Sequence, residues 1–195
     1  MSQTVARPMS VDEFFAWQEK QDVRYELVNG QPLRMMAGAS NAHDLVVVNL
    51  IRELSIRLRG SGCTPFTGDG SVETRPGQIR RPDVGIDCGN RDPNGYRASE
   101  PRVVFEVLSR STKAFDTVRK LDEYRGVDSI SAVVMIDPTK PGVAVLLRTD
   151  CGWKDIELTR LDDVLVLTEP SIELPLSAIY EDLTFPPVRL AEDDS

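Results

Sequence analysis

The run Val103-Val104-Phe105-Glu106-Val107-Leu108-Ser109 is short, apolar and rich in β-branched and aromatic residues, the pattern of a buried strand. Alternation puts Val103, Phe105 and Val107 on one face and Val104, Glu106 and Leu108 on the other. Glu106 is therefore a carboxylate set among apolar neighbours. Left unpaired it would cost several kcal/mol, so it must be protonated, paired or bound to a metal. Two flanking features share the interest: Arg80-Arg81-Pro82-Asp83 upstream, and Lys120 on the next expected helix.

Outward from that strand the chain alternates helices and strands around one sheet, a mixed α/β pattern without repeats or linkers. Ser10-Val11-Asp12-Glu13 has the form of a capping box and opens a helix to about Lys20, with Phe14 and Trp17 turned inward. Arg24 to Val28 and Pro32 to Met36 read as a hairpin about Asn29-Gly30, and Glu26 faces away from Tyr25 and Leu27. Ser40 or Asn41 caps a helix to about Arg59, closed by Gly60, with Val47, Leu50, Ile51, Leu54 and Leu58 as its apolar stripe. His43, the only histidine, extends that stripe at the N-terminal end, and a core or capping role is its plainest explanation. Cys63–Thr67, Ser71–Arg75 and Gln78–Asp87 read as strands, the last containing Asp83. A helix from Thr112 to Tyr124, a strand from Ser129 to Ile136 and a hairpin of Val143–Leu147 with Trp153–Leu158 follow. One short helix is expected between Leu174 and Leu183. Residues 1–9 read as an N-terminal tail, 10–185 as one domain and 186–195 as a disordered acidic tail.

Composition narrows the class. The apolar and charged fractions, 41% and 28%, are those of an ordinary globular protein. No run is long enough to cross a bilayer and no signal-peptide core precedes Ser10, so a cytoplasmic protein without membrane contact is expected. The 3 cysteines, Cys63, Cys88 and Cys151, are odd in number and widely spaced, which reads as free thiols in a reducing compartment. A net charge of −8 argues against indiscriminate nucleic-acid binding. The charge is uneven, however: Arg75 to Arg125 holds eleven basic and eight acidic residues, +3, leaving twelve against twenty-three, −11, elsewhere. That local excess suits a polyanionic substrate, and it suits an ordinary solvated surface equally well.

Spacing supplies a chemical constellation. If the helix after the central strand folds back along it, Thr112 to Lys120 covers about 12 Å, or about four strand residues, which brings Lys120 level with Glu106. Asp116, four residues before Lys120, shares its helix face and can orient it. Two carboxylates and a lysine about one point are the parts of a magnesium-dependent phosphodiesterase: hard oxygens for the metal, and an ammonium for the nucleophile or the developing charge. Taken singly each has a duller explanation. Asp116 and Lys120 make a surface ion pair, and Asp83 is a turn residue or a partner of Arg81.

Together the motifs carry a resemblance. Tyr25-Glu26-Leu27-Val28-Asn29-Gly30, Arg81-Pro82-Asp83-Val84 and Glu106-Val107-Leu108-Ser109 resemble the Uma family of putative restriction endonucleases, a branch of the PD-(D/E)XK nuclease superfamily. Ser111-Thr112, Asp116, Lys120, Tyr124 and the strand ending in Asp137-Pro138 extend it over roughly residues 10 to 180. The resemblance implies a restriction-endonuclease-like α/β/α core with a central mixed β-sheet. It implies Asp83 and Glu106 as metal ligands, with the Val107 carbonyl as a third. Lys120 stands in for the lysine usually found two residues after the second acid, where this chain has Leu108. Glu26 and His43 match further site residues of the family.

The expected function is a Mg²⁺-dependent endonuclease hydrolysing DNA, with Mn²⁺ an acceptable substitute, acting as a homodimer because a duplex offers two strands. A protein partner is expected to supply sequence specificity. The rival from another class is a catalytically weak nuclease-fold module that binds nucleic acid or protein, favoured by Leu108 and the net charge of −8. A third is a metal hydrolase of small phosphate esters.

Overall fold

Cross-strand register, more than proximity in sequence, assembles the centre of the molecule. The computed structural model describes residues 7–35, 39–109 and 114–185, with backbone alone for 114–117. Residues 1–6, Met36, Ser111-Thr112, the Asp116 side chain and the acidic tail 186–195 lie outside the described residues.

Ser10 caps α1 (Val11–Gln18) through the expected capping box with Glu13. Then β1 (Tyr25–Val28) and β2 (Gln31–Arg34) form a hairpin. Its turn residues Asn29 and Gly30 have φ of 52° and 72°, the left-handed pair an Asn-Gly turn requires. A Cβ on Gly30 would lie 2.4 Å from Pro8 Cβ, and Met9 donates its N–H to the Gly30 carbonyl. Residues 8 and 9 thus dock on the hairpin.

Ser40 caps α2 (Asn41–Arg57). After it come β3 (Thr64–Thr67), β4 (Val72–Arg75), β5 (Gln78–Arg80), β6 (Val84–Asp87) and β7 (Pro101–Val107). Next are α3 (Ala114–Arg125), β8 (Ala132–Ile136), β9 (Val143–Thr149), β10 (Gly152–Leu158), β11 (Val164–Leu167), β12 (Ile172–Pro175) and α4 (Leu176–Ile179). The central sheet has the order β10-β9-β8-β7-β6-β3, with β7 and β8 parallel across the α3 connection and every other neighbour pair antiparallel. A second sheet, β2-β1-β5-β4, flanks it.

The two sides of β7 meet different helices. Val103, Phe105 and Val107 pack with Val46, Leu50 and Leu54 of α2, while Val104 packs with Tyr124 of α3. The fold is mixed α/β, with a central mixed sheet between helices. Each fully buried Val, Leu or Phe in these layers contributes about 1.5–3 kcal/mol. The α2 stripe is rotated slightly from expectation: Val46 is fully buried and Val47 only partly, because Asn49 is turned inward to donate to the Ile179 and Glu181 carbonyls.

Two sequence expectations are corrected. Gln78–Asp87 is two strands in two sheets, broken at Arg81-Pro82-Asp83, where Pro82 has no N–H to continue a ladder. Cys63 and Cys88 are not free thiols but a disulfide; Thr64 pairs with Asp87 across β3 and β6, so the next residues outward face each other. Cys151 is free and exposed. The short helix expected between Leu174 and Leu183 is α4, and the hairpin of β11 and β12 directly ahead of it was not anticipated. Among the described residues no helix is long and apolar enough to cross a membrane.

At the far end of α3, Arg148 of β9 donates to the carbonyls of Arg125, Val127 and Ile130 while its guanidinium lies 4.5 Å from the Trp153 ring centroid. This cation at a helix C-terminus complements the helix dipole.

Candidate active site

Strand pairing builds the first half of the site. Val84 pairs with Phe105 across β6 and β7, so one step outward Asp83 comes opposite Glu106. The ladder has ended there, and Asp83 instead accepts the Val107 N–H on Oδ2 at 2.8 Å. Two carboxylates facing each other at a strand end repel. Burial pushes the Glu106 carboxyl up; Lys120 opposes this, Asp83 and Glu26 add to it, and the result is about 7.

The second half comes from α3. Lys120 Nζ lies 3.4 Å from Glu106 Oε1 and 3.2 Å from Glu26 Oε1, and only 15% of its side chain is exposed. Burial pulls the Lys120 ammonium down, but Glu106 and Glu26 outweigh it and hold it above its ordinary value. One turn on, Tyr124 is fully buried and donates its hydroxyl to the same Glu106 Oε1 at 2.8 Å. Behind Lys120 sits Arg80, also fully buried, which donates to Glu26 Oε2 at 2.7 Å and to Glu123 Oε2 and Oε1 at 2.6 and 2.9 Å.

The third element is the first turn of α2. Ser40 holds the His43 backbone N–H, which turns the imidazole so that Nε2 lies 3.4 Å from Asp83 Oδ2. The Asp83 carboxylate raises the His43 pKa, burial opposes it, and the Val107 backbone adds to the rise. Arg81 does not pair with Asp83; its guanidinium donates to the Tyr25 and Asp69 carbonyls.

All six residues singled out in the sequence, Glu26, His43, Asp83, Glu106, Val107 and Lys120, thus belong to one connected cluster. Sequence reasoning gave no role to Arg80 or Glu123. The signal for Glu123 was available: it lies three positions after Lys120, and Tyr124 lies four after Lys120, on one face of a helix.

Among the described residues no three His, Cys, Asp or Glu side chains converge as a ready-made metal cage. The oxygen donors suited to a cation are the Asp83 and Glu106 carboxylates and the Val107 carbonyl. All are hard oxygens, which favour Mg²⁺ or Mn²⁺ over softer metals. They fit on geometry: Asp83 comes opposite Glu106 at the strand end beside the Val107 backbone, where a dication would offset the repulsion between the two carboxylates.

Comparison with known proteins bears on the fold and the family. A solved structure of a putative nuclease of DUF820 from Anabaena variabilis ATCC 29413 superposes with a TM-score of 0.69, covering 89% of this chain and 98% of that one at 14% identity. At that identity the likeness is one of fold. The uncharacterized protein slr1290 of Synechocystis sp. is 27% identical over 179 residues, 91% of this chain and 94% of its own length. Residues 11–177 match the model of the Uma2 family, described as a putative restriction endonuclease family. With the match spanning most of its length, the chain belongs to the Uma2 family.

Proposed function

We propose that this protein is a nuclease, a Mg²⁺-dependent endonuclease that hydrolyses DNA phosphodiester bonds at the Asp83–Glu106–Lys120 cluster. The observation that carries the reading is the approach of Lys120 Nζ to Glu106 Oε1, 3.4 Å, at the strand end where Asp83 stands opposite. Family membership and the nuclease named as a structural neighbour support it.

Asp83, Glu106 and the Val107 carbonyl would hold the cation. When bound, it would polarise the scissile phosphate and lower the proton affinity of a water molecule. The remaining work falls to the chain. Lys120 stays charged at neutral pH, so it donates hydrogen bonds to the phosphate and stabilises developing negative charge; it is not the group that takes a proton. Tyr124 and Lys120 both engage Glu106 Oε1 and so fix the carboxylate that would hold the cation. His43 orients Asp83 from the opposite side. Leu108, in the usual lysine position, is no obstacle on this reading because α3 brings an ammonium to the same carboxylate. Residues 10–185 act as one domain, and a homodimer presents one site to each strand of a duplex.

The test is nicking of supercoiled plasmid in Mg²⁺ by wild type beside Asp83→Ala and Lys120→Ala. Wild type is expected to cleave, with both variants at least about a hundredfold slower. Equal residual cleavage in all three would overturn the assignment and favour a nuclease-fold module that only binds.

A further inference from the structure

Among the described residues Arg80 is the largest side chain buried completely, and its carboxylate partners are Glu26, which also holds Lys120, and Glu123, which shares α3 with Lys120. A buried guanidinium is tolerated only when its donors are met by charge and geometry together. Arg80 meets this with a two-pronged contact to Glu123 and a single bond to Glu26. Those carboxylates come from separate elements. Glu26 stands on β1, and its other oxygen receives Lys120 Nζ at 3.2 Å and the Arg81 N–H at 3.1 Å. Glu123 stands on α3, three residues after Lys120, where Arg119 also reaches it at 3.2 Å.

We propose that Arg80 is a positioning residue for Lys120: it clamps the Glu26 carboxylate to α3 so that the ammonium is held between Glu26 and Glu106. The proposal rests on Lys120 being the group that meets the scissile phosphate. Stability alone is a poor reason for such an arrangement, since well-packed apolar replacements of buried ion clusters are often neutral or better. Geometry is a good one. A fork of donors fixes two carboxylates in direction as well as distance, which a point charge on a flexible stem does not. Without it, Glu26 draws Lys120 toward itself and away from Glu106. Because Arg80 reaches no solvent, it touches no substrate, and its loss acts on turnover and leaves binding alone.

Two readouts test this on the full chain. The first is the side-chain ammonium ¹⁵N resonance of Lys120 in metal-free protein. It is expected to move in Arg80→Lys and, to a smaller extent, in the near-isosteric Glu123→Gln, and to stay put in the control Ile79→Val. An unmoved resonance in folded Arg80→Lys and Glu123→Gln overturns the proposal. The second is a double-mutant cycle on plasmid cleavage. Arg80→Lys is expected to lower kcat by as much as about a hundredfold with KM unchanged, as a misplaced catalytic group does. Added to Lys120→Ala, it is expected to change the residual rate by less than about twofold. The same fold-loss on both backgrounds would mark Arg80 as merely structural and sink the idea. A wild-type protein with no cleavage at all refutes the nuclease reading instead, and the resonance still decides whether Arg80 holds Lys120.

Discussion

Phe105 and Glu106 are neighbours on β7, yet they enter opposite environments. Phe105 points toward α2 into an apolar layer with Val103, Val134, Leu50 and Leu54, all fully buried. Glu106 points the other way, toward a layer that begins with Val104 and Val133 and ends in Lys120, Tyr124 and Glu26. The first face gains free energy from every contact it makes. The second is held by cancellation, in which one ammonium and one hydroxyl offset burial and two like charges and leave Glu106 at about 7. A strand alternates its side chains without regard to their chemistry, so one element can brace the fold and display a carboxylate whose charge is held only narrowly in balance.

Substitutions on the two faces should therefore separate stability from chemistry. Phe105→Ala is expected to have the largest effect, a loss of about 3–5 kcal/mol in urea denaturation, with cleavage per folded molecule retained. Glu106→Gln should do the reverse and abolish cleavage. Its effect on stability has a definite sign. Between the ordinary carboxylate range and about 7 the folded protein keeps a proton that the unfolded chain has lost, so the Glu106 contribution is full in acid and is lost as pH rises through about 7. Metal-free Glu106→Gln should therefore gain up to about 3 kcal/mol over wild type at pH 8 and nothing at pH 4. A variant less stable than wild type at both values would show that Lys120 needs Glu106 more than Glu106 suffers from burial. Tyr124→Phe, which removes the donor to Glu106 Oε1, is expected to cost about 1.5 kcal/mol at pH 8 by thermal unfolding. At the small end, breaking the exposed Arg24–Asp69 pair with Arg24→Ala should shift stability by less than about 0.5 kcal/mol.

The same contrast explains what the sequence could convey. Local periodicity and chemistry announced β7, the Ser10 capping box and the Asn29-Gly30 turn, because each is decided within a few residues. The height argument that set Lys120 level with Glu106 used only the rise per residue of a helix and a strand, and the two groups lie 3.4 Å apart. What was hidden depended on distant pairing. Cys63 and Cys88 become neighbours only through the β3–β6 register, across 25 residues that detour into the other sheet. The break at Pro82 could be seen, but not that the chain changes sheets there. Arg80 counted only toward the local basic excess, because its partners Glu26 and Glu123 reach it from β1 and α3, far away in sequence. The hairpin of β11 and β12 was missed because it leaves Val164 and Val166 exposed beside buried Leu165 and Leu167, and its alternation is apolar on both faces.

Arg148 has a consequence for how this chain can change length. Its three acceptors span Arg125 to Ile130, so the spacing between α3 and β8 is measured against a fixed guanidinium. One residue added inside α3 between Lys120 and Arg125 would turn the helix by about 100° relative to that anchor and swing Lys120 off the carboxylates. One added at Asp150-Cys151, in the tip joining β9 and β10, would disturb none of these contacts. Natural insertions and deletions in proteins of this design should therefore gather at that tip and avoid the end of the helix.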